Sequence, residues 1–252
     1  MKPPQIFGKC AAVAVLAATT TSALTTVSSV AAPTAKAKVA KKAKISPVKK
    51  TSGAARGMVA LKLSLPQPAF LGTPKNIPPG STVEKPTGKP RPTVYVPVGT
   101  KNVARGKSVS SSDTSPIVGT PDLITDGDKE AGDGHYIELG PGSQWVQIDL
   151  GKTYALHAIA LWHYHGEARI YRDVLVQVAD DPDFIENVRT VFNNDQDNSS
   201  GHGLGRGREY FEVAEGKLLA LKGARARYVR LYSRGSTADE QNHYTEVEVY
   251  GK

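Results

Sequence analysis

Apolar and polar residues alternate in short runs over roughly the last 150 residues of the chain. Val146, Ile148 and Leu150 fall on one face of a strand that Gly151 is expected to end. Val174, Val176 and Val178 repeat the pattern ahead of the turn-forming Asp180, Asp181 and Pro182, and Val229 with Leu231 and Val247 with Val249 give two more strands. A period of two is what a strand buried on one face requires. Clusters of Gly, Asn, Asp and Ser separate these runs, the longest from Asn193 to Gly207. Several short alternating strands, no amphipathic helix of ordinary length and no internal repeat predict an all-β, antiparallel sandwich or barrel.

Upstream the pattern weakens. Val59, Leu61, Leu63 and Leu65 alternate, as do Val94, Val96 and Val98, within a proline-dense stretch. Residues 58–101 therefore predict an extended arm packed on the domain at 102–252. From Ala32 to Gly57 the chain is mostly Ala, Lys, Pro, Ser and Thr, too poor in apolar surface to offset the entropy of ordering it. That stretch, 32–57, reads as a disordered tether. Residues 1–31 have the parts of a signal peptide: Lys2 and Lys9, an apolar run from Cys10 to Ala18, and small residues such as Ser29 and Ala31 near a cleavage site. The run is too short for a membrane span, which needs about 20 apolar residues. Gly8 and Lys9 make a poor lipobox for Cys10.

Charge follows the same division. The first 83 residues hold twelve Lys and Arg and no acidic residue, whereas the remainder has twenty basic and twenty-four acidic residues. The net charge of +8 thus belongs to the tail and argues for no nucleic-acid partner of the folded part. The tail serves as a soluble spacer or as a docking segment for anionic envelope polymers. Cys10 is the single cysteine, so a processed protein would have no disulfide, and its expected location is secreted, periplasmic or the cell envelope.

Five segments occur in an order that resembles one known family. They are Asn102-Val103-Ala104-Arg105-Gly106-Lys107, Leu123-Ile124-Thr125-Asp126-Gly127-Asp128, Gln144-Trp145-Val146-Gln147-Ile148-Asp149-Leu150-Gly151, Arg227-Tyr228-Val229-Arg230-Leu231-Tyr232, and Glu246-Val247-Glu248-Val249-Tyr250-Gly251. The chain from about Asn102 to Lys252 resembles the discoidin, or coagulation factor V/VIII type C, family, which includes the family 32 carbohydrate-binding modules. That resemblance implies a jelly-roll β-sandwich of the galactose-binding domain type, with ligands bound by end loops.

The resemblance also implies a structural calcium ion. Calcium takes six to eight hard oxygen ligands, and by resemblance these are the side chains of Asp126, Asp128 and Glu246 and the carbonyls of Leu123, Ala131 and Thr245. Family members often have a Thr hydroxyl at the place of Ala131, where this chain offers only a carbonyl, or Asp133 instead. The competing reading is that Asp126 and Asp128 are turn residues bonded to their own backbone.

A sugar site needs planar polar groups for vicinal hydroxyls and an apolar surface for the ring face. The segment from Trp162 to Arg169 concentrates such groups, and family members often use His and Arg here. The expected ligand-binding residues are His163, His165 and Arg169, with Asn242 and His243 from a second loop. Trp145 and Trp162 are expected in the core. His163 and His165 could instead be surface residues without a ligand, or two ligands of a transition metal lacking an evident third. The Asn193–Ser200 stretch is a ligand loop or a plain connection, and the glycines after it match no phosphate-binding fingerprint.

No H-E-x-x-H, G-x-S-x-G or Walker loop is present, and the discoidin-like segment takes up nearly all residues able to fold. The expectation is a non-enzymatic module that binds a glycan or cell-surface polysaccharide. The alternative is a structural or protein-interaction adaptor of the cell envelope. Binding to membrane lipid would need apolar loop tips, for which only Ile170 and Leu204 are available.

Overall fold

The computed structural model describes residues 57–252 apart from 71, 73–76, 79–80 and 86. The expected signal peptide and nearly all of the tether lie outside the described residues. Among the described residues, ten strands and one short 3₁₀ turn, Pro121–Thr125, make up the regular structure: β1 (Met58–Ala60), β2 (Tyr95–Pro97), β3 (Lys101–Asn102), β4 (Ser108–Ser111), β5 (Ile137–Leu139), β6 (Gln144–His163), β7 (Leu175–Ala179), β8 (Arg189–Asn193), β9 (Lys217–Ser233) and β10 (Asn242–Gly251). Every pairing is antiparallel. No helix among the described residues is long and apolar enough to cross a membrane.

Two long strands organise the domain. β6 and β9 pair from Gln144 with Ser233 to Leu161 with Lys217, with register shifts between Asp149 and Tyr154 and between Leu156 and Ala158. Gly151, expected to end a strand, lies within the first of these shifts, so the strand bends and continues. The first half of β6 pairs with β4, and the second half pairs with β10. Beyond β9 the sheet continues through β7 to β8, and β10 also takes β3 and β5.

The bend turns the sheet into two layers. Val146, Ile148 and Leu150 before it join Leu156, Ile159 and Leu161 after it in one core cluster, together with Val176, Val178, Val229, Leu231, Val247 and Val249. Each fully buried Val, Leu or Ile is worth about 1.5–3 kcal/mol relative to exposure. This is the expected antiparallel β-sandwich, with the alternating residues pointing inward.

Trp145 departs from the expectation. It is only half-buried and stacks on the Arg230 guanidinium, 4.5 Å from its ring centre, while Phe184 covers the other side of Arg230 at 4.0 Å. It follows the alternation: Val146 and Ile148 point in, so Trp145 points out. Trp162 is fully buried and donates its indole N–H to the Ala214 carbonyl at 2.9 Å.

Within 58–101, β1 and β2 pair with each other, and Val83 and Val96 are buried. One main-chain bond, Glu84 N to Glu209 O at 2.8 Å, joins this stretch to the domain, and Arg91 donates to the carbonyls of Glu215 and Gly216. Leu65 and Val98, on the expected apolar face, are exposed.

Candidate functional site

The loops 140–143, 164–174, 194–216 and 234–241 gather at one end of the sandwich and enclose a cleft of about 680 Å³. Its walls include Arg172, Asp173, Asn194, Asp197, Arg234 and Thr237, and residues 78, 81 and 82 close one side. The floor is a main-chain ladder. Arg172 N donates to Gly235 O, Arg234 N to Arg172 O and Thr237 N to Ile170 O, and the Thr237 hydroxyl accepts the Ile170 amide at 3.0 Å. Ile170, considered above as a loop-tip spike, is thereby buried, whereas Leu204 is exposed.

The structure brings the five residues expected to bind ligand to this end but buries all of them. His163 and His165 are fully enclosed, as is Asn242, and Arg169 and His243 are nearly so. Each has a job inside the protein. His163 Nδ1 lies 2.7 Å from Glu212 Oε1, with both side chains sealed from solvent, and its ring stacks on Tyr171 at 4.3 Å. His165 Nε2 bonds the Lys129 carbonyl at 2.8 Å. Arg169 pairs with Glu167 and with Asp239 and lies over the Tyr164 ring. Desolvation lowers the His243 imidazole to about 4, against the opposing pull of Asp239. Of the five, only Arg169 and His243 leave any surface, 6% and 5%, for contact with a ligand. His163, Asn242 and His243 belong to strand ends, and His165 and Arg169 to the 164–174 loop, and none of the five lines the cleft.

Among the cleft-lining residues, Arg172 and Asp173 carry no signal in the sequence, Asn194 and Asp197 fall in the Asn193–Ser200 stretch, and Arg234 opens the second loop, Arg234 to Tyr244, that also carries Asn242 and His243. Asp173, Asp195 and Asp197 hold carboxylate oxygens within 4.8 Å of one another. Asp195, fully buried, accepts the Ser199 and Ser200 amides and the Ser200 hydroxyl. Asp173 accepts the Ser199 hydroxyl at 2.7 Å, and burial raises its carboxyl above the ordinary range, with Asp195 and Asp197 adding to the effect.

Of the expected calcium residues, Thr245 and Glu246 lie in β10, and Leu123, Asp126, Asp128 and Ala131 lie in the 3₁₀ turn and the loop after it. Gly127 N donates to Glu246 Oε2 at 3.0 Å, which ties the 126–133 loop to the strand. Gly127 has φ +81°, a left-handed conformation that strains any residue with a side chain. Asp126 accepts the Asp128 amide, while Asp128 accepts the Glu130 amide and contacts His135 Nδ1 at 2.9 Å. Glu246 is fully buried, and its Oε1 has no hydrogen-bond partner. Burial pushes this carboxyl up to about 8. An orphaned buried carboxylate oxygen with Asp126 nearby suits a hard cation in donor chemistry. The carboxylates of Asp126, Asp128 and Glu246 do not, however, converge as closely as those of Asp173, Asp195 and Asp197.

No family model matches the chain, and no curated protein does. Among solved structures the chain is similar to the family 32 carbohydrate-binding module of AlyQ in complex with 4,5-unsaturated mannuronic acid, at 18% identity and a TM-score of 0.42 over 56% of this chain and 92% of that one. It is also similar to a fucose binding module of Streptococcus pneumoniae, at 19% identity and a TM-score of 0.44 over 60% and 98%. A third likeness is to a family 89 glycoside hydrolase from Clostridium perfringens, at 20% identity and a TM-score of 0.43 over 60% of this chain but 14% of the enzyme.

Proposed function

We propose that the protein is a non-catalytic carbohydrate-binding module, exported to the cell envelope or beyond, that holds a glycan in the end-loop cleft. The observation that carries this reading is the cleft itself. About 680 Å³ lies within the usual range of roughly 300–1,000 Å³ for small-ligand sites. Its polar side chains offer both donors and acceptors, as sugar hydroxyls require. The loops behind them are fixed by main-chain bonds, so little ordering is left for the ligand to impose.

The same reading gives calcium a structural part. Asp126, Asp128 and Glu246, with the carbonyls of Leu123, Ala131 and Thr245, would hold the ion, which would neutralise the buried Glu246 carboxylate and fix the 126–133 loop. This chain's own contribution is to bring that carboxylate to the loop through the Gly127 amide.

Isothermal titration against a glycan panel tests the proposal. We expect binding to at least one saccharide, at least tenfold weaker in Arg234→Ala, with no release of reducing ends on prolonged incubation. Absence of binding across the panel would defeat the module reading, and product release would defeat its non-catalytic part.

A further inference from the structure

The domain has a second end, where β6 and β9 bend. Both termini of β6 border the cleft loops, so its middle, around residues 150–155, lies at the far end, roughly 17 Å along the strand from Gln144. Strand pairing gathers cations there. Lys252 and Ala155 exchange both main-chain bonds at 3.0 Å, and Ala155 pairs with Arg225 on its other side, so Lys252 and Arg225 flank it on one face of the sheet. Lys222 sits in the register shift opposite His157, and Lys152 lies over the Tyr154 ring at 5.2 Å. Lys101 pairs with Gly251, and the Arg189 guanidinium donates to the Arg225 carbonyl. All six cations are exposed.

No carboxylate of the protein offsets them. Among the described residues, none of the six has an acidic partner at salt-bridge distance. Residues 97–108, 150–157, 217–227 and 249–252 contain no Asp or Glu, although residues 84–252 hold twenty-four. Asp149 is taken by Arg227 through two bonds of 2.8 Å, and Asp181 by amides of its own turn. Burial lowers the His157 imidazole below its ordinary value, and Lys252 lowers it further.

The course of the chain supplies an independent observation. Gly57 O accepts the Val98 amide at 2.8 Å, and Val98 O accepts Lys252 Nζ at 3.1 Å. The sequence before Gly57, with eight Lys and Arg and no acidic residue between positions 32 and 56, therefore joins the domain beside Lys252.

Like charges gathered in this way attract a polyanion, which gives up its own counterions on binding. Four of the six are Lys, whose ammonium is a compact point charge that meets phosphate oxygens from any direction, whereas a planar carboxylate gains most from the fork of Arg. Tyr154, the ring among these residues, is half-buried under Lys152 and offers nucleic-acid bases no stacking surface. Val59, Tyr95 and Val98 on the adjoining hairpin are each about half covered, too little apolar surface to anchor on a bilayer. We propose that this end of the domain, with the chain that enters at Gly57, docks on a linear phosphodiester polymer and leaves the cleft at the other end open.

The experiment measures binding of the full chain to poly(glycerol phosphate), to polygalacturonate of similar length and to vesicles containing phosphatidylglycerol, each at several salt concentrations. One variant, Lys222→Gln/Arg225→Gln/Lys252→Gln, removes three charges from this end. A second, Lys85→Gln/Arg206→Gln/Arg208→Gln, removes three elsewhere. Every changed side chain is exposed, so both variants should melt like the wild type. Binding to the phosphate polymer should weaken as salt rises, fall at least tenfold in the first variant and change less than about twofold in the second. A similar loss in both variants would show that net charge alone attracts the polymer, and no loss in either would assign binding to the chain before Gly57; each result overturns the inference. So does failure to bind the phosphate polymer, or equal or tighter binding to polygalacturonate or to the vesicles. None of these outcomes bears on the glycan reading of the cleft.

Discussion

Asn242 Oδ1 accepts the Gly235 amide at 2.8 Å, which couples the start of β10 to the wall of the cleft. The same oxygen accepts the Ser233 hydroxyl, and Nδ2 donates to the carbonyls of Gly140 and Gly142 at 2.9 and 3.0 Å. One fully buried side chain therefore pins two loops whose residues Gly142 and Gly235 face the ligand space. Asn242→Ala should destabilise the fold by about 2–4 kcal/mol in denaturant melts, because several buried groups lose their partner at once. Glycan affinity should fall even where the variant is fully folded, although Asn242 touches no ligand. An unchanged melt would show that these loops hold themselves.

Removal of calcium tests the Glu246 site separately. If an ion is held there, chelator should lower the melting temperature by several degrees, through loss of binding energy available only to the native state. Glu246→Gln should abolish the response to added calcium and, with no charge left to bury, melt no lower in chelator than the wild type. A wild-type melt insensitive to both calcium and chelator would leave the orphaned Oε1 to an internal water.

The fold was legible because apolar residues alternate with polar ones from Val146 to Leu150 in β6 and from Val247 to Val249 in β10, with the same period at Val176 and Val178 in β7 and Val229 and Leu231 in β9. Alternation specifies which face is buried, and Gly151, at φ +85°, marks the interruption, but that the strand bends and continues there follows from its pairing with two different neighbours. The binding face was harder for a related reason. His163, Arg169 and Asn242 are polar, and polarity suggests a surface. Burial of a polar residue depends on partners distant in sequence, such as Glu212 for His163 and Gly140 for Asn242. The residues that do line the cleft, Asp173 and Arg234 among them, look like ordinary turn residues until the loops are assembled.

Acid should weaken the domain in a defined window. His243 is buried against Arg169, Tyr136, Tyr164 and Tyr171, with Glu138 Oε2 3.7 Å from its Nε2 and Asp239 nearby. Desolvation leads the causes that lower its folded value from 6.5 to about 4. The unfolded chain then takes up a proton on this group that the folded chain refuses, so stability present above pH 6.5 is lost as pH falls towards 4. The slope of stability against pH in this interval should flatten in His243→Gln. An equal slope in both proteins would assign the acid sensitivity to other groups.

Lys129 and Glu248 provide the last test, because they join the 126–133 loop to β10 without involving the proposed ion. Their charged atoms are 2.9 Å apart with side chains 9% exposed, Lys129 lies 5.4 Å from the Trp162 ring centre, and the Tyr250 hydroxyl donates to the other Glu248 oxygen at 2.7 Å. Removing one partner of a buried pair leaves the other charge uncompensated, which costs about 3–5 kcal/mol, whereas replacing both with apolar side chains of similar size is close to neutral. Lys129→Met should therefore destabilise strongly in chelator as well as in calcium, and the double variant Lys129→Met/Glu248→Leu should recover most of the loss. Recovery in the double variant separates charge burial from loop docking: if the loop depended on the pair for its position, the double variant would remain as unstable as the single one and would also lose its calcium response.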